Sequence, residues 1–135
     1  MYSDQMLKEI LTSTKTIASV GLSGNMEKVS YGVGAYLLEH GYHVIPVNPT
    51  ADEILGEKSY PDLESVPEKI DVVQVFRRPA DVPLVVVSAI KVGAKVVWMQ
   101  LGVVNEEAAQ TAREAGLQVV MDRCMRVEHI RLIGP

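Results

Sequence analysis

The sequence predicts an α/β fold in which a doubly wound parallel sheet carries helices on both faces of a single domain. Two observations predict this class. Short runs rich in β-branched residues alternate along the chain with helix-like stretches, and this alternation requires right-handed crossovers. Gly41, Gly93 and Gly116 stand where a helix must turn back into a strand, a position that favours the left-handed backbone conformation. A length of 135 residues fits one domain spanning 1–135.

The strands and helices follow in order along the chain. Apolar runs bounded by turn residues predict strands at 16–20, 42–47, 71–76, 95–100 and 117–121, so the core spans 16–122. Helical patterns predict helices at 4–11, 30–40, 105–115 and 125–132. Ser30 and Asn105 are the expected N-caps of the two internal helices, and Glu106 and Glu107 suit the positive end of the second one.

Residues 82–90 are apolar around nearly the whole circumference of a helix, although a surface helix normally has a polar face. Three interpretations are open. The segment is a strand, a deeply covered helix, or a helix whose surface is buried by a partner. In the third case a second copy of the chain, forming a homodimer, or another protein would dock on 82–90.

Composition and charge exclude several classes of protein. The 13 basic and 17 acidic residues give a net charge of −4, which argues against a nucleic-acid partner. A single cysteine, Cys124, excludes an internal disulfide and a metal site built from cysteines, and no metal is expected. The apolar run at 82–90 is far shorter than the ~20 residues of a membrane span, so no membrane association is expected. The first residues lack the layout of a signal peptide, which predicts a cytoplasmic location.

The ligand site of a doubly wound sheet lies beyond the carboxyl ends of its strands, where the strand order reverses. The segment after the first predicted strand is rich in glycine, which lets backbone N–H groups approach an anion closely. The helix that follows adds partial positive charge at its N-terminus. Candidates for phosphate binding in this segment are Gly21, Ser23 and Asn25, with Lys28 as a nearby charge. The glycine spacing differs from the G-x-G-x-x-G pattern of dinucleotide-binding folds.

Polar side chains also follow the second and third predicted strands. Asn48 stands where enzymes that bind nicotinamide dinucleotides place a carboxylate for the ribose, which argues against NAD. Arg77 and Arg78 follow the third strand, and guanidinium groups suit bidentate contacts with phosphate. Phe76 beside them can pack on a base or on an apolar arm of the ligand.

Five segments in this order resemble the small stand-alone CoA-binding proteins, which are similar to the N-terminal CoA-binding domain of the succinyl-CoA synthetase alpha subunit. The segments are 21–23, 46–49, 76–79, 98–102 and 122–124, and the resemblance covers about 16–129. It implies a Rossmann-like domain that binds coenzyme A, as free CoA or as an acyl-CoA, at the carboxyl edge of its sheet.

The resemblance also implies a role for each segment. Its implied contacts are Gly21, Leu22, Ser23 and Asn25 for the phosphates, Asn48, Pro49 and Thr50 for adenosine, Phe76, Arg77 and Arg78 for the middle of the ligand, and Gln100, Leu101 and Gly102 for pantetheine. The family often has a lysine after Asn-Pro, where this chain has Thr50, so Lys28 or the arginines would recognise the 3′-phosphate. Synthetase chemistry uses a phosphorylated histidine in a second domain, so binding without catalysis is expected of this chain alone.

Cys124 supports an alternative function. It follows the last predicted strand at the start of the terminal helix, where the helix N-terminus and the neighbouring Arg123 and Arg126 favour the thiolate. A mixed disulfide between this candidate reactive thiol and CoA would make the chain a CoA-dependent thiol/disulfide redox protein. An NAD(P)-binding domain is a further alternative, although both the three-glycine spacing and the acidic ribose ligand are missing.

Overall fold

Five apolar runs pair side by side to form one parallel sheet in the computed structural model, which describes residues 2–135. In chain order the strands are β1 (Thr16–Val20), β2 (His43–Val47), β3 (Glu53–Ile54), β4 (Glu57–Lys58), β5 (Val72–Val75), β6 (Val96–Met99) and β7 (Gln118–Val120). The five-stranded sheet has the order β2-β1-β5-β6-β7, and β3 and β4 form a separate antiparallel hairpin. Every pair in the large sheet is parallel, which confirms the predicted fold class.

Helices cover both faces of this sheet, as a doubly wound fold requires. They are α1 (Asp4–Ser13), α2 (Val29–Glu39), α3 (Val82–Lys91), α4 (Glu106–Glu114) and α5 (Met125–Leu132). The buried residues of α3 and α4 pack with one set of strand side chains, including Ala18, Val73 and Val97. Those of α1, α2 and α5 pack with the alternate set on the opposite face, including Ile17 and Val72. Because side chains alternate along a strand, both faces of the sheet are apolar.

The ends of the helices agree with the sequence prediction in most places. Gly41, Gly93 and Gly116 adopt φ values of 90°, 74° and 92° between a helix and the next strand, as predicted. Asn105 caps α4 by accepting a hydrogen bond from the Ala108 backbone N–H at 2.9 Å. The predicted role of Ser30 was wrong. This residue is buried inside α2, which begins at Val29, and its hydroxyl accepts a hydrogen bond from the Ser23 backbone N–H.

Residues 82–90 lie in α3, so the interpretation of this segment as a strand was wrong. Val82, Val86 and Ala89 are buried against the sheet, whereas the side chains of Leu84 and Val87 are 78% and 44% exposed. The chain therefore covers one face of this apolar helix and leaves the other face open to solvent.

The connection between β2 and β5 contains structure that sequence reasoning missed. Besides the β3–β4 hairpin, it carries a short 3-10 helix at Leu63–Ser65, and a second one at Pro79–Asp81 precedes α3. Tyr60 pairs with Val47 at the end of β2, so this connection folds back along the carboxyl edge of the sheet. Within residues 2–135, no helix has the length and apolar content needed to cross a membrane.

Candidate functional site

Three cavities with shared walls lie along the carboxyl edge of the sheet, where the strand order reverses between β1 and β5. The first, about 210 Å³, is bordered by Pro49 and Leu84 among others. The second, about 450 Å³, is bordered by Gly21, and the third, about 610 Å³, by Cys124. Arg77 lines all three cavities. We call this continuous depression the rim groove.

Gly21 shapes the middle of the rim groove. Its φ of 89° is a conformation that glycine adopts without strain. A Cβ atom at this position would lie 2.8 Å from the Phe76 carbonyl oxygen and 3.0 Å from Cδ of Arg77. The backbone N–H of Gly21 donates to the carbonyl of Val47 at 3.0 Å. The turns after β1, β2 and β5 therefore meet at this glycine.

Asn48 joins two of these turns through its side chain. Its Nδ2 donates to the Leu22 carbonyl at 3.0 Å. Its Oδ1 accepts from the backbone N–H of Thr50 at 2.9 Å and from the Thr50 hydroxyl at 2.8 Å. Asn48, Pro49 and Thr50 all line the second cavity, and contact with adenosine by these residues stays a prediction. The amide of Asn48 thus holds the wall of the groove in shape.

Arg77 and Arg78 supply positive charge to the same region. Nη2 of Arg77 and Nε of Arg78 lie 3.5 Å and 3.3 Å from the same Oδ2 atom of Asp81. Such long contacts between exposed side chains stabilise little, so both guanidinium groups can turn to an anion in the groove. Phe76, half-buried next to them, lines the second and third cavities.

The glycine-rich segment reaches the groove only in part. The side chain of Leu22 is fully buried in the core, and the Ser23 hydroxyl accepts a hydrogen bond from the backbone N–H of Asn25. Neither these three residues nor Lys28 line the three cavities, whereas Val29 at the start of α2 lines the third. Phosphate contacts by this segment therefore stay a prediction that rests on Gly21.

Gln100 closes the floor of the third cavity. The residue is 3% exposed, and its Oε1 accepts from Gln74 Nε2 at 3.1 Å and from the Met125 backbone N–H at 3.0 Å. Gln74 in turn accepts from the Ser19 hydroxyl at 2.9 Å. This chain of buried hydrogen bonds links β1, β5 and the start of α5. Sequence reasoning named Gln100 but missed Ser19 and Gln74, although polar residues inside apolar strands are a recognisable signal.

Leu101 and Gly102 form a turn that projects over the third cavity. Oδ1 of Asp122 accepts a hydrogen bond from the Gly102 backbone N–H at 2.7 Å and so ties this turn to the end of β7. Asp122 itself has a φ of 59°, which is uncommon for a residue other than glycine. The side chain of Leu101 is left 70% exposed.

Cys124 stands at the N-cap of α5, as predicted, and is 9% exposed on the wall of the third cavity. Of its two neighbouring arginines, Arg126 lines the same cavity. The guanidinium of Arg123 pairs instead with the buried Glu128 at 3.4 Å and lies over the Tyr2 ring. The structure therefore confirms the position of Cys124, and its reactivity stays a prediction.

A cluster of aromatic and imidazole rings between α2 and α5 lies outside the rim groove. The Tyr36 hydroxyl is 2.7 Å from Nδ1 of His129, and His40 stacks on Tyr36. Burial lowers the pKa of His129 below its usual value of 6.5, and the nearby His40 lowers it further. Among residues 2–135 no group of three or more His, Cys, Asp or Glu side chains is arranged to hold a metal ion.

Several residues of the rim groove were not predicted as site residues. They share an apolar side chain; they are Val20, Val47, Pro61, Leu63, Leu84, Val85, Pro79, Val29, Val103 and Val127. The exposure of Leu84, Val29 and Val127 is the physical signal, and it is visible only once the fold is known.

Comparison with known proteins identifies the family. A model of the CoA binding domain matches residues 15–130. The chain belongs to this CoA-binding domain family. The resemblance that the five segments indicated is thereby confirmed.

Proteins similar to this chain match it over different lengths. The uncharacterized protein YneT of Bacillus subtilis is 45% identical over 123 residues, which cover 91% of each chain. A protein of Pyrococcus horikoshii described as hypothetical has a solved structure that superposes with a TM-score of 0.96 and 50% identity, covering 98% of this chain and 94% of that one. The alpha subunit of ADP-forming acetate–CoA ligase I of Pyrococcus furiosus is 28% identical, and the match covers 85% of this chain but 28% of the subunit.

Proposed function

We propose that this CoA-binding domain holds coenzyme A along the rim groove and acts by binding, without catalysing acyl-CoA formation on its own. One observation carries the proposal. The groove changes from apolar walls at one end, through a cationic middle at Arg77 and Arg78, to a cavity of larger volume with apolar walls at the other end. Coenzyme A has the same order of parts: a flat base, a set of phosphates and a long arm that ends in a thiol.

The first cavity suits the adenine base. Pro49, Leu63 and Leu84 give it apolar walls, on which a flat aromatic ring can pack. Asp62 and Ser88 line the same cavity and offer polar atoms at its edge. The base would therefore lie between the end of β2 and helix α3.

The second cavity suits the phosphates. Gly21 permits close approach of an anion to the backbone, and the two arginines offer planar groups of hydrogen-bond donors. Recognition of the 3′-phosphate is assigned to these arginines, because Lys28 does not line the groove. The net charge of −4 means that affinity depends on this local arrangement and not on the overall field.

The third cavity suits the pantetheine arm. Phe76, Leu101 and Val103 line it, and Cys124 lies on its wall. A CoA thiol that reaches this cavity would come near Cys124, which is the feature on which the redox alternative rests. That alternative stays a prediction, as does NAD(P) binding.

A ligand panel tests the proposed function. Isothermal titration calorimetry with CoA, dephospho-CoA, NAD and NADP should give the tightest binding for CoA and a weaker affinity for dephospho-CoA. The melting temperature should rise with CoA, because a ligand that binds the folded state stabilises it. Binding of NAD that equals or exceeds binding of CoA would refute the proposal. Mass spectrometry of small molecules released by denaturing freshly purified protein gives an independent readout.

Cellular location and assembly belong to the same proposal. We expect a cytoplasmic protein, and cell fractionation tests this. A homodimer or a protein partner would use the exposed face of α3, where Leu84 and Val87 are accessible. Sedimentation at high protein concentration should reveal such self-association, and a monomer throughout would argue against a homodimer.

A further inference from the structure

An unused hydrogen-bond donor lies at the floor of the third cavity. The Met125 backbone N–H can only donate, so the atom of Gln100 that faces it must be the carbonyl oxygen Oε1. Nε2 of Gln100 therefore points away from Met125. Among residues 2–135 no hydrogen-bond acceptor is in contact with this Nε2, and every fully buried side-chain nitrogen or oxygen has a partner. The Nε2 donor must then reach the cavity that Gln100 lines.

Gln100 is held rigidly in this orientation. It is 97% buried, since 3% of its surface is exposed, and its Oε1 is fixed from two sides by Gln74 and Met125. Its Nε2 reaches the cavity without an acceptor from the protein, so the carbonyl of a ligand in the cavity can accept this hydrogen bond. The floor of the cavity thus presents a hydrogen-bond donor, Nε2 of Gln100, at a fixed position for an acceptor atom of the ligand.

Exposed apolar side chains surround the mouth of the same cavity. Val29, Leu101 and Val127 are 71%, 70% and 53% exposed, and they come from three separate elements. Apolar side chains gathered around one cavity mark a place where apolar material binds. The pantetheine arm of free CoA ends in a thiol and carries no apolar chain beyond it, whereas an acyl chain on that sulfur adds apolar surface that can pack on these side chains.

We infer that the physiological ligand is an acyl-CoA with an apolar acyl chain. Its thioester carbonyl accepts the hydrogen bond from Gln100 Nε2, and its chain packs on Val29, Leu101 and Val127. This inference rests on the proposed CoA binding and adds the substrate class. The pantetheine arm has amide carbonyls of its own, so the test must separate the thioester carbonyl from them.

Calorimetry with three ligands separates the contribution of the acyl chain from that of the thioester carbonyl. Hexanoyl-CoA carries both the chain and the thioester carbonyl, S-hexyl-CoA carries the chain without that carbonyl, and CoA carries neither. We expect hexanoyl-CoA to bind at least about tenfold more tightly than CoA, with S-hexyl-CoA between them. Equal affinities of CoA and hexanoyl-CoA would overturn the inference and leave the proposed function intact. If none of the three ligands binds, the proposed function falls and the inference falls with it.

Two variants assign the effect to residues. Gln100→Glu keeps the acceptor for Met125 and removes the amide donor, so it should bring hexanoyl-CoA and S-hexyl-CoA to similar affinities. Leu101→Ser should reduce the preference for hexanoyl-CoA over CoA severalfold, whereas Ile133→Ser, an exposed residue at the other end of α5, should leave it unchanged. An unchanged ratio of hexanoyl-CoA to S-hexyl-CoA affinity in folded Gln100→Glu would overturn the role of Gln100. If that variant does not fold, equal affinities of the two ligands for the unaltered protein would overturn it.

Discussion

Gly21 and the Phe76 carbonyl are in such close contact that a Cβ atom on residue 21 would lie 2.8 Å from the Phe76 oxygen. This contact brings the turn after β1 against the turn after β5, and it thereby sets the position of Arg77 at the junction of the three cavities. The groove depends on the absence of a side chain at one residue.

Gly21→Ala should therefore harm both stability and binding. The alanine must adopt a φ near 89° and displace the turn after β5, so we expect the free energy of unfolding to fall by at least about 2 kcal/mol. CoA affinity should fall as well. Gly41→Ala is the matched control, because Gly41 has a φ of 90° but a Cβ atom there would meet no other atom within 4 Å. It should cost about 1 kcal/mol of stability and leave CoA affinity unchanged, as chemical denaturation and calorimetry will show.

Replacing both Arg77 and Arg78 by alanine should weaken CoA binding roughly tenfold to a hundredfold at low salt, because contacts to the phosphates are lost. The difference from the unaltered protein should shrink as salt is added, since salt screens exposed charges. Arg113→Ala on α4 removes one positive charge outside the rim groove and should leave the affinity unaltered. If the double variant binds CoA with the same affinity as the unaltered protein, neither arginine belongs to the binding site.

Leu84→Ser tests the apolar first cavity. Loss of this wall should weaken CoA binding about threefold to tenfold. The affinity for 4′-phosphopantetheine should not change, because that fragment lacks the adenosine part. Val87→Ser on the same helix is the control, since Val87 is exposed but does not line the cavity. If both variants behave alike in calorimetry, the base does not bind against α3.

The environment of His129 should make the folded protein less stable in mild acid. Its pKa in the folded chain is lowered by burial and by His40, so the unfolded chain takes up the proton more readily. The free energy of unfolding should be fully retained above pH 6.5 and fall as the pH drops below that value. In the protonated ring Nδ1 of His129 can only donate to the Tyr36 hydroxyl oxygen. Denaturation curves between pH 5 and 8 should show this loss, and His129→Gln should flatten it, whereas His43→Gln should not.

Cys124 offers a direct readout of the third cavity. Desulfo-CoA, which has no thiol to consume the reagent, should slow modification of Cys124 by iodoacetamide at least about fivefold, because burial of the thiolate limits attack. Adenosine 3′,5′-bisphosphate lacks the arm and should protect less. Intact-mass spectra give the rates, and equal protection by both ligands would place the arm elsewhere.

The same cysteine decides the redox alternative. With CoA disulfide, the Cys124 thiolate would attack one sulfur, form a mixed disulfide and release one CoA thiolate. An adduct of the mass of CoA that disappears on reduction supports a redox role. Absence of any adduct under these conditions argues against it.

The sequence predicted the fold well because the fold depends on local patterns. Apolar runs and helix-ending glycines such as Gly93 are short-range signals, and they give the order of strands and helices directly. The hairpin of β3 and β4 was not predicted, because strands of two residues are too short to show a pattern of apolar residues. Ser30 was misplaced because its hydroxyl serves the Ser23 backbone within the fold rather than the helix end.

The candidate site was predictable in outline for a different reason. In a parallel sheet every residue that follows a strand reaches the same edge, so Asn48, Arg77 and Gln100 could be placed together in advance. The contributions of Leu84, Val29 and Val127 to the cavity walls could not be predicted, because they depend on how α2, α3 and α5 pack. The contact of Asn48 with the Leu22 carbonyl was equally hidden, since these two residues lie 26 positions apart along the chain.

The amide of Asn48 and the buried glutamines Gln74 and Gln100 fix the scaffold of the groove through bonds internal to the protein. Few backbone segments would need to be ordered when a molecule enters, so little conformational entropy would be lost on association. The side chains that give the groove its chemistry, Arg77, Leu84 and Leu101, project from this scaffold and do not support it. Substituting these three side chains would leave the hydrogen bonds of the scaffold intact. The binding specificity of the groove would then change toward other nucleotide-linked compounds without loss of the fold.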